Sequence, residues 1–234
     1  MEAAGATQQD IAERLEAVRS EIAAAAARVE RTADEVRLIA VSKTHPPETL
    51  RAAIAAGATD FGENRVQEAE GKIMELGRRA ARWHLIGHLQ GNKARRAVEL
   101  FDVIHSLDSV ALALRLERIC DETGREELPV LLQVDLGGEA TKSGVAEADL
   151  SALVETVTVC KRLRLLGLMT LPPFFEDAER ARPYFRRLRE LRDERLAGAG
   201  ELSMGMSHDF VVAIEEGATM VRVGTAIFGA RDGL

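Results

Sequence analysis

Cysteine is scarce: Cys120 and Cys160 are the only two in 234 residues. Both fall in stretches of helical pattern and neither belongs to a C-x-x-C pair, so they read as buried free thiols in a reducing compartment. Positive charge is short as well. Lys and Arg number 31 against 38 Asp and Glu, a formal net charge of −7, and the basic face by which a general nucleic-acid binder releases counterions is missing. Long apolar runs are missing too: residues 22–27 are closed off by Glu21 and Arg28, far short of a bilayer span. The first ten residues lack the basic start of a secretory signal. The expectation is a cytoplasmic protein with small-molecule partners and neither nucleic acid nor membrane to bind.

Also lacking is any linker, charge block or internal repeat that would divide the chain, so residues 1–234 are expected to form one domain, with residues 1–9 a frayed tail. Ile11, Leu15, Val18, Ile22 and Val29 then recur at helical spacing, which predicts one long amphipathic helix. After it, strand and helix patterns alternate. Strands are expected over 38–42, 60–62, 83–87, 103–106, 130–136, 165–170, 202–204 and 220–223. Helices are expected over 48–56, 66–79, 93–100, 110–122, 147–162, 178–196 and 209–216, with Pro183 interrupting or restarting the sixth. Repeated βα units force parallel strands covered by helices, and eight of them close into a barrel. The expected fold class is therefore α/β, a single (β/α)8 TIM barrel with an extra N-terminal helix. A doubly wound sheet is the competing architecture, but the G-x-G-x-x-G fingerprint is absent after every candidate first strand. Gly224 to Gly229 has Walker-like glycine spacing, yet Ala230-Arg231 follows where Lys-Ser/Thr is required.

Within that frame one stretch stands out, Leu38-Ile39-Ala40-Val41-Ser42-Lys43 followed by Thr44-His45-Pro46-Pro47. It reads as a short buried strand that ends in an ammonium group and is stopped by two prolines. Period-two alternation puts Ile39, Val41 and Lys43 on one face. A lysine so placed can reach past the strand end into water; if desolvated, it favours the neutral amine that attacks carbonyls.

Polar residues gather where the other strands end, as barrel chemistry requires: Glu63-Asn64-Arg65, His88 to Lys93, Ser106 with Asp108, Asp135 with Gly137-Gly138, and Met169-Thr170. His84 and His88 have the spacing of a helical metal pair, but Trp83-His84-Leu85-Ile86 reads as a strand with no third ligand in view, which favours a structural or stacking role. The last two strands lead into Gly205-Met206-Ser207 and Gly224-Thr225, each followed by a helix start. Taken singly these are ordinary turns with hydroxyl caps. They stand where barrels commonly place a phosphate, after strands seven and eight, and together with Lys43 they suggest a phosphorylated aldehyde held at two ends.

Ala40-Val41-Ser42-Lys43-Thr44, Phe61-Gly62-Glu63-Asn64, Trp83-His84-Leu85-Ile86-Gly87, His105-Ser106-Leu107-Asp108, Lys142-Ser143-Gly144, Gly167-Leu168-Met169, Leu202 through Ser207, and Val221-Arg222 through Gly229 together resemble, in the same order, the pyridoxal phosphate homeostasis proteins. That family is similar in fold to the N-terminal barrel of alanine racemase, the fold type III of pyridoxal enzymes. The resemblance implies pyridoxal 5'-phosphate on Lys43 as a Schiff base, its phosphate held by Ser207, Gly224 and Thr225, Arg222 facing the pyridine nitrogen, and Asn64 with Met206 lining the pocket. Arg65 stands where many relatives carry Tyr, and Val211 where an acidic residue is common, so no polar contact is carried over to either. Lys142 lies in a polar loop and reads as solvated, with a place beside the pocket as the other possibility.

Two functions of different kinds follow from the resemblance. The first is a carrier that holds pyridoxal phosphate in vitamin B6 homeostasis, with pyridoxal-dependent apo-enzymes as candidate recipients and a monomer or weak homodimer as the working unit. The alternative is a slow racemase-like enzyme with Lys43 as its base. Arg222 can only donate a hydrogen bond, which disfavours the protonated ring nitrogen that serves as an electron sink. Racemases with such an arginine add a tyrosine base from a second domain; this sequence stops soon after the barrel closes, and Tyr184 lies in a charged helical segment. Aldolase-type sugar chemistry on a Lys43 Schiff base is a third option, which the C-terminal motifs disfavour.

Overall fold

The computed structural model describes residues 7–138 and 143–229. The first helix, α1 (Gln8–Ala27), opens on a capping box in which Thr7 Oγ accepts the Asp10 N–H at 3.2 Å while the Asp10 carboxylate accepts the Thr7 N–H at 2.9 Å. That cap starts the helix two residues inside the expected tail, so Gln8 and Gln9 are helical; residues 1–6 lie outside the described chain. Helix α1 buries Ile11, Leu15, Val18 and Ile22, the expected stripe, while Val29 falls beyond its end.

Alternation then runs through β1 (Arg37–Val41), α2 (Pro47–Ala55), β2 (Asp60–Glu63), α3 (Val66–Leu76), β3 (Arg82–Leu85), α4 (Ala94–Leu100), β4 (Val103–Leu107), α5 (Val110–Thr123) and β5 (Leu128–Asp135). It continues with the two-residue strand β6 (Val145–Ala146), α6 (Leu150–Val159), β7 (Leu163–Met169), α7 (Arg182–Arg195), β8 (Glu201–Met206), α8 (Phe210–Glu215), β9 (Met220–Val223) and α9 (Thr225–Phe228). All strand pairs are parallel. The sheet order is β4-β3-β2-β1-β9-β8-β7-β5, and the pairing of β4 with β5 closes it into an eight-stranded barrel; β6 hangs on β5 outside that count. Pro183 sits in the first turn of α7, directly after a separate 3-10 turn at Ala178–Ala181, so it restarts the helix as its missing N–H allows.

Two apolar regions hold this together. The larger fills the space between strands and helices, where Phe61 and Trp83 stack at 5.8 Å between ring centroids. The smaller lies inside the barrel and consists of Ile39, Val103, Leu131, Met169 and Met220. Full burial of each such side chain contributes about 1.5–3 kcal/mol. Helix α1 is seated on α2, α8 and α9, and Arg19 and Arg31 pin it by donating to the carbonyls of Gly57 at 2.7 Å and Ala218 at 2.9 Å.

Candidate functional site

The seven site residues read from the sequence stand on four strands that are consecutive around the barrel, β2-β1-β9-β8. Asn64 follows β2, Lys43 follows β1, Arg222 lies in β9 with Gly224 and Thr225 just beyond it, and Met206 ends β8 with Ser207 next. Register aligns them: Ile39 pairs with Arg222, and Arg222 with Met206. Because Ile39 belongs to the inner apolar cluster, alternation turns Val41 to the same side, and Lys43 follows in the turn just beyond the end of β1. Lys43 is half-buried there and Thr225 is exposed at the rim.

The loop that carries Lys43 is held from below by a buried ammonium. Lys72, on α3, donates at 2.7 Å each to the Ser42 carbonyl, to Glu63 and to Glu68. Glu63 also accepts from Ser42 Oγ at 2.6 Å, and Glu68 accepts the Thr44 N–H. Thr44 has φ of 69°, a left-handed conformation that a β-branched residue rarely takes. Burial pushes the Glu63 carboxyl up, against the pull of Lys72 and of Ser42. Sequence reading gave Lys72 no role; the signal available was a lysine at an otherwise apolar position of α3, one residue before the buried Ile73.

On the other side, the Ser207 hydroxyl accepts the backbone N–H of Gly224 at 3.1 Å and of Ala226 at 3.5 Å, so the loops after β8 and β9 meet at one hydroxyl. The β8 loop is shaped by Gly205, whose φ is +91° and whose Cβ, if present, would lie 2.6 Å from that of Ala213. Asp209 then clamps it by accepting the Met206 N–H at 2.6 Å. Asn64 is fixed by a comparable close approach, since a Cβ on Gly87 would fall 2.3 Å from the Asn64 carbonyl oxygen. Arg222 is buried and donates to Ser203 Oγ at 2.6 Å and to the Thr170 carbonyl at 2.8 Å. Burial pulls its pKa down to about 10, with Asp209 opposing, and the guanidinium stays charged at neutral pH.

His84 is buried in the interior, within 2.9 Å of His105 and of Asp60, and its ring meets that of His105 edge-on at 5.1 Å. Of the structural or stacking role expected of it, the hydrogen bonds give the structural one; the edge-on rings do not stack. His88 points elsewhere, half-exposed beside Asp108 at 3.3 Å. Among the described residues no group of three or more His, Cys, Asp or Glu is arranged to hold a metal. Arg65 is exposed at the start of α3, and Val211 packs against the outer core. Lys142 lies outside the described residues. A cavity of about 430 Å³ sits at the opposite, N-terminal end of the barrel between α1 and β1, lined by Arg19, Arg37 and Asp60 among others; it belongs to the seating of α1 and not to the Lys43 mouth.

A parallel eight-stranded barrel with a lysine closing its first strand and two small-residue loops closing its last two is the architecture of the alanine racemase barrel. The family model for the alanine racemase N-terminal domain matches residues 14–232. Alanine racemase of Corynebacterium glutamicum superposes with a TM-score of 0.71 over 97% of this chain and 62% of that one, at 21% identity, a likeness of fold alone. The pyridoxal phosphate homeostasis protein of Pseudomonas aeruginosa is 49% identical over 224 residues, covering 95% of this chain and 96% of that protein. PipY of Synechococcus elongatus, solved with pyridoxal phosphate bound, superposes with a TM-score of 0.81 at 44% identity over 94% of this chain and 100% of that one. The chain belongs to the pyridoxal phosphate homeostasis family within the alanine-racemase-like barrels.

Proposed function

We propose that this chain binds pyridoxal 5'-phosphate and holds it in vitamin B6 homeostasis, with Lys43 as the attachment point. The observation that supports the reading is the adjacency of β1, β9 and β8, the strands that carry or lead into Lys43, Arg222 and Ser207. Bound there, the cofactor supplies an aldehyde that condenses reversibly with an amine. The residues present suit it. Ser207 Oγ and the backbone at Gly224 already converge, and with the Thr225 hydroxyl they offer donors to a phosphate. Arg222, fixed by Ser203 and the Thr170 carbonyl, would face the ring nitrogen, and Asn64 and Met206 would line the ring.

Arg222 also argues for custody in place of catalysis. A guanidinium has no acceptor, so facing the ring nitrogen it would disfavour a proton there and weaken the electron sink that amino-acid chemistry uses. We place the protein in the cytoplasm, in keeping with its two free cysteines, with apo-enzymes that need the cofactor as recipients and a monomer or weak homodimer as the unit. No described helix is long and apolar enough to cross a membrane.

The test is to add pyridoxal phosphate to the purified protein, reduce with borohydride, and locate the modified residue by mass spectrometry. A pyridoxyl group on Lys43, with loss of the visible band in Lys43→Ala, is the expected result. A reducible band that persists in Lys43→Ala would move the attachment elsewhere.

A further inference from the structure

Behind Arg222 a chain of hydrogen bonds crosses the barrel interior. Arg222 donates to Ser203 Oγ at 2.6 Å. Ser203 Oγ lies 2.9 Å from His105 Nδ1, His105 Nε2 lies 2.9 Å from His84 Nδ1, and His84 Nε2 lies 2.9 Å from Asp60 Oδ1, which also accepts from Arg37 at 3.2 Å. Ser203, His105 and His84 are completely buried and Arg222 nearly so. Strands β8 and β4 are not neighbours in the sheet, so the Ser203–His105 bond spans the interior and does not follow the wall.

One proton arrangement satisfies every member. Arginine only donates, so the Ser203 hydroxyl accepts from Arg222 and gives its single proton to His105 Nδ1. His105 then carries its proton on Nε2 and donates to His84 Nδ1, and His84 carries its own on Nε2 and donates to the Asp60 carboxylate. Both imidazoles are neutral. An imidazolium at His105 would aim a second donor at Ser203, strand the hydroxyl proton, and add a cation beside a buried guanidinium. An apolar layer lies beside it inside the barrel, and replacing buried charged or polar groups by apolar ones is often neutral or stabilising. Its direct contact with the Arg222 guanidinium points to a role beyond packing.

We propose that Ser203, His105 and His84 are positioning residues for Arg222, fixing the guanidinium in plane and direction so that its contact with the ring nitrogen of bound pyridoxal phosphate is set from inside the barrel. This rests on the cofactor site proposed above. The far end of the chain, Asp60 and Arg37, lines the cavity under α1, so only that end is within reach of solvent.

Two measurements test it. In the wild-type protein without cofactor, 15N NMR of labelled histidines should show both His84 and His105 neutral with the proton on Nε2 at pH 7; an imidazolium or an Nδ1 proton on either overturns the chain. With cofactor, Ser203→Ala and His105→Phe should shift the visible band and weaken pyridoxal phosphate binding about five- to tenfold, while Ser203→Thr, which keeps the hydroxyl, restores both. An analogue with C–H in place of the ring nitrogen should bind wild type and Ser203→Ala equally. Equal weakening for cofactor and analogue, or no change in band and affinity, would overturn the positioning role even if Lys43 is modified as expected. Failure of the wild-type protein to bind the cofactor would instead remove the functional reading, while the tautomers would still report on the chain. Should the alanine variant not fold, Ser203→Thr and the wild-type tautomers decide the matter.

Discussion

The Lys72 ammonium lies 2.7 Å from the carbonyl oxygen of Ser42, the residue immediately before Lys43. It reaches that point from α3, in the layer outside the strands, and the same Nζ holds Glu63 and Glu68 at 2.7 Å. The contorted Thr44 that follows Lys43 is tied to Glu68 in turn. A left-handed non-glycine residue costs of order 1–3 kcal/mol and persists only where its surroundings over-determine it. Lys72 supplies that determination.

Replacing Lys72 by Met should therefore do two things. It strands Glu63, whose side chain is fully buried, and removal of one partner of a buried pair costs about 3–5 kcal/mol. Urea unfolding should show that loss, and Lys72→Met with Glu63→Leu should recover part of it. In the same single variant the Lys43 loop loses its anchor, so cofactor affinity should fall although neither side chain touches cofactor. Unchanged stability in Lys72→Met would mean that Glu63 is already neutral in the wild type.

Ser207→Ala and Thr225→Val should each weaken pyridoxal phosphate far more than pyridoxal. Both remove donors that only a phosphate would use, and a hydrogen bond to a charged group contributes about 1.5–3 kcal/mol, or roughly ten- to a hundredfold in affinity. Ser207→Ala also cuts the link between the β8 and β9 loops at Gly224, so its effect should be the larger. Titration with both ligands separates the cases; equal losses would place the phosphate elsewhere.

The barrel was legible in the sequence because each strand carried its own pattern. The eight expected strands overlap the eight strands of the barrel, and Lys43, Ser207 and Arg222 could be placed at strand ends or inside a strand from local residue order alone. The anchors beneath them were not legible. Lys72 stands at an otherwise apolar position of α3, but nothing in the local sequence tells that its Nζ meets Ser42 once the helix is docked. Ser203 and His105 are 98 residues apart and meet only when the barrel closes. Alternation could have placed His105 inside, two residues on from the interior Val103, but no spacing along the chain names its partner across the barrel. The two-residue strand β6 carried no periodic signal at all.

Stability should fall on acidification in two stages. Burial holds His105 well below the ordinary imidazole value, helped by His84, Arg222, Arg82 and Arg37, and burial holds His84 below it too, against the pull of Asp60. For a group whose cationic form is disfavoured on folding, the unfolded chain binds more protons below its own pKa of about 6.5; the stabilisation is complete above that pH and is lost as pH falls beneath it. Asp60 adds a second stage. Burial alone would raise its carboxyl, but His84, Thr59 and Arg37 outweigh that and hold it at about 2. Its contribution is present above the usual carboxylate value and is lost as pH drops through 4 toward 2. Urea midpoints measured from pH 7 to pH 3 should thus fall from about pH 6.5 downward, and His105→Gln should flatten the first stage while leaving the second. A midpoint that rises between pH 7 and pH 5.5 would show the imidazoles charged in the folded protein.

The purified holo-protein should turn over no common amino acid at a useful rate. Loss of an α-proton needs a base on the correct face and an electron sink to receive the charge. Lys43 offers one base. The other phenolic candidate, Tyr184, lies on α7 in the outer layer with its ring 5.8 Å from that of Phe175, so it is spoken for by packing. Placed at the ring nitrogen as proposed, Arg222 would weaken the sink, since it cannot accept a proton and is held by Ser203 and the Thr170 carbonyl. An amino acid could displace Lys43 from the cofactor, but its α-hydrogen should exchange only slowly. Incubation with a panel of L- and D-amino acids in deuterated water, followed by mass spectrometry and chiral chromatography, measures exchange, racemisation and keto-acid release together. Many turnovers on any one substrate, abolished by Lys43→Ala, would replace the carrier by an enzyme.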